Sequence, residues 1–485
     1  METDVARWLV SGEAEPAIEL AASFADPDSL GAGDALRRVV APERAAAVLD
    51  LVALRRRGIG KLGEVAERLF LTREGLEQAT RWDVASWRAR CITRAGVSRA
   101  GVSRVVDAGC GLGIDALACR SAGLEVTAIE VDPVTAVLAT ANLGCPGVLP
   151  ETAPGFRVIA SAVEDVDLTD WLADPGTAIF LDPARRTGRG RSWHVGDLSP
   201  SWEFVTRVLD RARGPVVVKL GPGFPRQLLP EYADVTWVSH GGDLVETTLW
   251  SGPVTEGRRE AVVLEPGGGT NRTVPIVPPE IAEHRLRADR GVSWREPTGT
   301  DPTITAPSAM VPTGTDPTST DPTRTNPTWT DPTETDPSAT DPTNTIPTAK
   351  NPTKTTLTAT SPLGAYIYEP DPAVIRARAV GRLAGLLQAR PVAGEVAYLS
   401  GDQLIPTPFA TAFAVLDTIA YSEKMLRTWA RDNGIGVMEI KVRGLDVDPA
   451  ALRRRLRLGG KNSTCVILTP TPAGATAVIV RRIAG

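Results

Sequence analysis

Cysteine is scarce in this 485-residue chain, with Cys91, Cys110, Cys119, Cys145 and Cys465 scattered and no CxxC pair among them. An odd, dispersed set excludes a disulfide framework, fits a reducing compartment and argues against structural zinc. Long apolar runs are missing too, and none approaches the roughly 20 residues that a membrane span needs. The opening METDVARWLVSGEAEP carries acids where a secretory signal needs bases. Together these absences predict a cytoplasmic protein with no metal and no membrane partner. Positive charge is not in excess: 53 Lys plus Arg against 58 Asp plus Glu leaves a net charge of −5. That balance excludes nucleic-acid binding through bulk positive charge, while a local basic patch stays open.

Large apolar groups are nearly absent from Asp301 to Thr360, which falls into twelve pentapeptides, mostly Asp-Pro-Thr-x-Thr, with 11 of the chain's 40 Pro and 21 Thr. Proline at that spacing denies a regular helix or central strand, and without apolar positions no core can form, so a disordered, extended spacer is predicted over 297–361. Trp329 is its sole aromatic residue.

What remains is ordered sequence. Residues 1–100 carry Leu51, Leu54, Leu62, Val65 and Leu69 at helical spacings, with Thr72 placed to cap a helix, and predict a helical N-terminal domain. From Val102 short apolar runs alternate with helical stretches: VSRVVD, EVTAIE, FRVIA, TAIFL, PVVVKL, DVTWVS and VETTLW. Such alternation predicts a parallel sheet over 101–255, with the last two runs, joined only by His240-Gly-Gly-Asp-Leu, pairing antiparallel at an edge. A connecting segment, 256–296, includes one further strand, AVVLEP. A small α/β domain follows over 362–485, with a helix from about Pro372 to Ala389, strands near Val396, Val437, Cys465 and Ala477, and helices near Asp417 and Asp448.

The segment VVDAGCGLGIDALA reads as a strand, a glycine loop and a helix start. Gly109, Gly111 and Gly113 allow a sharp turn and a close approach of backbone to ligand. A dinucleotide fold would want its third glycine one place later, where Ile114 stands, and Asp107 on the first strand suits a cationic ligand better than a pyrophosphate. Twenty-one residues after Gly109, Glu130 ends the second strand, where a carboxylate can accept both hydroxyls of a ribose. DAGCGLG and AIEVDP resemble motifs I and II of class I S-adenosylmethionine-dependent methyltransferases over about residues 101–250. The resemblance implies a Rossmann-like sheet, S-adenosylmethionine as cofactor, and cofactor contacts from Asp107, Gly109, Gly111, Gly113, Glu130, Asp132 and Asp182. The acid that this family places after the third strand falls on Ala162, and Asp165, or Glu164, stands in for it.

The fourth strand runs into Asp182-Pro-Ala-Arg-Arg, which puts Asp182 at a sheet carboxyl end beside the methyl donor. Methyltransferases of exocyclic base amines carry Asp/Asn-Pro-Pro-aromatic there, and Ala184 and Arg185 depart from that pattern. The fifth-strand segment holds no cysteine nucleophile. It holds Lys219, a lysine whose pKa burial could lower into the range of a base, and Glu246 follows beyond the next hairpin. Asp182, Lys219 and Glu246 resemble part of the Lys-Asp-Lys-Glu tetrad of ribose 2′-O-methyltransferases, with Arg88, or nothing, in the first place. A Lys219–Glu246 salt bridge without catalytic meaning is the alternative.

LEQATRWDVASWRAR, FLDPARR, VVVKLGPGF, PTPFA, MEIKVRG and DPAALRRRLRL together resemble a bacterial family of class I methyltransferases with a THUMP-like C-terminal domain. THUMP domains bind RNA, so the resemblance implies an RNA partner. Local charge agrees: residues 361–485 hold 16 Lys plus Arg and 10 Asp plus Glu. Lys441, Arg443, Arg453, Arg454, Arg455, Arg457 and Lys461 suit phosphate contacts, and Arg185, Arg186, Arg189 and Arg191 would continue the path to the methyl donor. Transfer to a small molecule or protein, or cofactor binding without catalysis, are the competing readings.

Overall fold

A computed structural model of the chain describes residues 1–95, 101–185, 195–252, 255–266, 281–288, 362–394 and 396–483. The pentapeptide array, with Trp329, lies outside the described residues, as do Arg186, Arg189 and Arg191.

Each apolar run named above forms a strand. Eleven belong to the first part of the chain: β1 (Arg104–Ala108), β2 (Glu125–Glu130), β3 (Phe156–Ala160), β4 (Thr177–Leu181), β5 (Ala184–Arg185), β6 (Leu198–Ser199), β7 (Val216–Leu220), β8 (Asp234–His240), β9 (Asp243–Ser251), β10 (Arg259–Leu264) and β11 (Glu283–Arg287). Nine of them form one sheet in the order β11-β10-β8-β9-β7-β4-β1-β2-β3, and β5 and β6 pair separately. β1 pairs in parallel with both β2 and β4. From β1 the chain winds outward to β2 and β3 and then returns to β4 on the other side. The carboxyl ends of β1 and β4 thus open a crevice where the strand order reverses, the usual ligand position in such sheets. β8 and β9 pair antiparallel as expected, but not at an edge, since β10 and β11 lie beyond β8. The strand expected in the connecting segment is β10, which pairs in parallel with β8 and extends the same sheet, with β11 beyond it.

The N-terminal helices do not form a core of their own. Leu51, Leu54, Leu62, Leu69, Trp82 and Ile92 pack with Val105, Val126 and Phe180 of the sheet in one apolar cluster. The helix Trp82–Arg94 also lays Val84 and Trp87 on Val238, Val262 and Leu264. N-terminal residues are thereby carried across the sheet toward its carboxyl edge.

The C-terminal part forms a seven-stranded sheet from β12 (Tyr366–Pro370), β13 (Arg390–Ala393), β14 (Val396–Gly401), β15 (Ala410–Ala420), β16 (Ile435–Val442), β17 (Asn462–Thr471) and β18 (Gly474–Arg482). Two expectations change here. The helix expected near Asp417 is part of β15, because pairing with β12 and β18 on its two sides overrides local preference; the helix is Glu423–Asp432. The helix expected over Pro372–Ala389 is two helices, Pro372–Arg376 and Val380–Leu386, broken where Arg378 takes φ 59°. These two short helices bury Ala373, Val374, Val380 and Leu383 in a cluster shared with Ala261, Trp237 and Leu286 of the large sheet. The two sheets are therefore joined through a common apolar core.

Candidate active site

A cleft of about 750 Å³ opens at the carboxyl ends of β1, β2 and β4. Its floor is the glycine loop. Gly109 and Gly111 have φ of 96° and 53°, the left-handed region that favours glycine, and a Cβ on either would meet no protein atom within 4 Å. Side chains at these positions would project into the cleft and occupy the ligand's space. Glu130 ends β2 with Oε2 accepting from Gly111 N at 2.9 Å and Oε1 from Asp132 N at 2.9 Å. The backbone thus fixes this carboxylate while it still lines the cleft. Asp132 lines the cleft too, but its side chain caps the helix Pro133–Leu143, accepting from Val134 N and Thr135 N.

Three expected cofactor residues take distinct places. Gly113 caps the helix Ile114–Ser121 in the left-handed conformation. Asp107, 1% exposed, lies beneath the loop rather than on the cleft wall, and neither of its carboxylate oxygens has a hydrogen-bond partner among the described residues. Burial first, then the carboxylates of Asp115 and Asp182, push its pKa well above the usual range. Asp165 is corrected: it does not line the cleft, whereas Ala162, Val163 and Glu164 do, because a short 3₁₀ turn over Val163–Asp165 carries its last residue away.

The opposite wall was not legible as a site. Thr72 caps the helix Arg73–Gln78, accepting from Gly75 N at 3.1 Å, as its sequence position predicts. That helix and the residues after it place Glu74, Gly75, Gln78 and Thr80 against the glycine loop. Thr80 Oγ1 donates to Asp115 Oδ2 at 2.7 Å, joining the wall to the helix that follows motif I.

Beneath the cleft lies a charged network. Arg88, 1% exposed, donates to Asp115 and, at 2.5 Å, to Glu246 Oε2, and its guanidinium stacks 5.0 Å over the Phe180 ring. Thr248 Oγ1 donates to the other Glu246 oxygen at 2.7 Å. Lys219 Nζ donates to Asp182 Oδ2 at 2.5 Å. Two expectations are corrected by this arrangement. Glu246 is not paired with Lys219 and does not reach the cleft; both its oxygens are engaged by Arg88 and Thr248. Lys219 is not a lowered-pKa base either. Burial alone would lower its pKa, but the carboxylates of Asp182, Asp115 and Glu246 outweigh burial and raise it. Arg88 is pushed upward likewise, with Asp115, Glu246 and Asp182 overcoming its burial. Of the three expected catalytic residues, Asp182 alone lines the cleft, a third of its side chain exposed.

Cys110 and Cys119 are unsuited to act as nucleophiles. Burial and the nearby carboxylates, Asp107 among them, hold both thiols well above their ordinary pKa.

The cradle fits S-adenosylmethionine. Its walls offer the Glu130 carboxylate to a nucleoside ligand, Asp107 leaves a buried carboxyl without a protein partner among the described residues, and the loop keeps room that a Cβ would fill. No group of three or more His, Cys, Asp or Glu among the described residues is arranged to hold a metal ion. Nor is any described helix long and apolar enough to cross a membrane.

The expected RNA-binding residues separate into groups. Lys441 donates to Glu369 Oε2 at 2.8 Å and Arg443 lies 3.8 Å from Glu369 Oε1 at the junction of the two sheets. Arg453 donates to the Met438 carbonyl and Arg455 to Glu423 Oε2, while Arg454 and Lys461 are exposed. The backbone of Arg185 pairs with Leu198.

Residues 410–482 match a family model described as THUMP domain-like. Two Mycobacterium tuberculosis proteins, from strains CDC 1551 / Oshkosh and ATCC 25618 / H37Rv, each named as an uncharacterized S-adenosylmethionine-dependent methyltransferase, are 29% identical over 447 residues, covering 89% of this chain and 95% of the relative. Among solved structures, a Porphyromonas gingivalis W83 protein assigned as a methyltransferase superposes with a TM-score of 0.65 at 18% identity, covering 100% of this chain and 98% of that one. The glycine loop, the carboxylate of Glu130, the sheet order and these likenesses converge on an S-adenosylmethionine-dependent methyltransferase with a THUMP domain-like match at its C-terminal end.

Proposed function

We propose that this methyltransferase acts on RNA. The observation that carries the reading is the THUMP-like module, matched over 410–482 and paired through β15 with β12, next to the helices that share an apolar core with the methyltransferase sheet. A nucleic-acid-holding module joined in that way keeps a constant relation to the cleft. S-adenosylmethionine supplies an electrophilic methyl group on a sulfonium, and the protein must align a nucleophile with it and remove the nucleophile's proton. Asp182, at the cleft, is the proton acceptor. Lys219, holding its own proton, keeps the Asp182 carboxylate in place through the 2.5 Å contact. Arg88 acts one step further back, holding Glu246 under the floor and Asp115 in the cleft lining. Gly109, Gly111, Glu130 and Asp132 hold the cofactor on this reading, with Asp107 beneath the loop.

The test is transfer of labelled methyl from S-adenosylmethionine into total RNA from cells lacking the gene, followed by nucleoside analysis. Label in one nucleoside is expected, and its identity separates ribose from base chemistry. Label confined to protein or metabolite fractions would replace the RNA reading with one of those substrates.

A further inference from the structure

The cations of the C-terminal domain that converge are not the arginine run of the helix Pro449–Leu456. Lys424, Arg427 and Arg431 lie on one face of the helix Glu423–Asp432, at helical spacings of three and four, and Arg457 meets them from the end of the next helix. Together they line a pocket of about 450 Å³, and no carboxylate is among its lining residues. Arg427 and Arg431 contact Glu423 and Asp432 at the pocket's margin. Gly434, Gly459 and Gly460 form one side, where two loops cross so tightly that a Cβ on Gly460 would stand 1.8 Å from the Gly434 carbonyl oxygen. This floor is backbone held against backbone. Arg457 itself sits at φ 53°, ψ 52°, a helix-ending conformation that favours glycine. A long cationic side chain stands there although glycine would relieve the strain.

From these observations we infer that Lys424, Arg427, Arg431 and Arg457 form a phosphate-holding pocket for the backbone of the RNA substrate, an inference that rests on the RNA reading above. Like charges gathered in a concavity repel one another, and a phosphate removes that repulsion while releasing counterions. The pocket lies at the start of β16, and Lys441 and Arg443 lie at its end, beside the junction of the two sheets. Eight residues of strand place the pocket roughly 23 Å from that junction, a separation that one nucleotide cannot bridge. A structured or extended RNA can.

The test uses the full chain and a fluorescein-labelled RNA hairpin of about 30 nucleotides, titrated by anisotropy at salt from about 50 to 200 mM. Arg431→Gln and Arg457→Gly are the variants, since Arg431 is exposed and glycine relieves the backbone at 457. Each is expected to lower the slope of log affinity against log salt by about 0.8, which is about a sixfold weakening at ~0.1 M relative to 1 M salt. The melting temperature of Arg457→Gly should stay level or rise. Unchanged slope and affinity in both variants would overturn the inference and assign Arg431 and Arg457 to the helix C-terminal dipoles alone. Failure of the unaltered protein to bind the hairpin would overturn the RNA reading and this inference with it.

Discussion

The network beneath the cleft and the pocket in the C-terminal domain both gather charge, and they do opposite things with it. Under the cleft each cation has carboxylate partners: Arg88 holds Asp115 and Glu246, and Lys219 holds Asp182. Burial makes any unpaired charge there costly, so the pairs fix geometry and leave little charge to offer a ligand. In the C-terminal pocket the cations are solvated and outnumber the carboxylates beside them, so their charge remains available to an anion. Charge that positions is buried and balanced, whereas charge that recruits is exposed and unbalanced.

Breaking the buried side should have the larger consequences. Asp182→Ala is expected to lower transfer by about 10²–10⁴-fold while cofactor affinity, read by calorimetric titration, stays within a few-fold. Arg88→Met should destabilise the fold by about 3–5 kcal/mol in denaturant titrations, because it leaves Asp115 and Glu246 without a counter-charge. Adding Glu246→Leu to it should restore part of that loss; a double variant as unstable as the sum of the singles would contradict the coupling.

The pairing of Lys219 also predicts a pH dependence. Its folded-state pKa lies above the ordinary 10.5, so the stability it contributes is complete below that value and is lost as pH rises through the folded pKa. Urea titrations above about pH 10.5 should show the unaltered protein losing stability more steeply than Lys219→Met. Equal slopes would mean that Lys219 has no raised pKa. The smallest effect belongs to the exposed side: Arg455→Gln, whose guanidinium is engaged by Glu423, should change RNA affinity less than Arg457→Gly does. The reverse order would move the phosphate site onto the arginine run.

What could be read from the sequence follows the same division between local and distant contacts. Gly109, Gly111 and Glu130 announce themselves because loop, strand and spacing are local, and β1 to β4 and β7 to β10 follow apolar runs of the right length. Arg88 and Glu246 lie 158 residues apart, and only the resemblance to the tetrad, not the neighbourhood of either, sets them side by side. The same distance effect led Lys219 to be matched with Glu246, when its partner is Asp182 at the neighbouring strand end. The helix that local preference favours near Asp417 gives way to β15 because the pairing partners, β12 and β18, lie far off in the chain. The cations of the helix Glu423–Asp432 were detectable by their spacing, but the denser run at 453–455 drew the assignment, although a helix points consecutive residues in different directions.

The most direct test compares the unaltered protein with Asp182→Ala in one experiment, measuring S-adenosylmethionine binding and methyl transfer into RNA side by side. The account predicts label in a single RNA nucleoside for the unaltered protein, and bound cofactor without label for the variant. Loss of cofactor binding in the variant, or transfer that persists without Asp182, would contradict it.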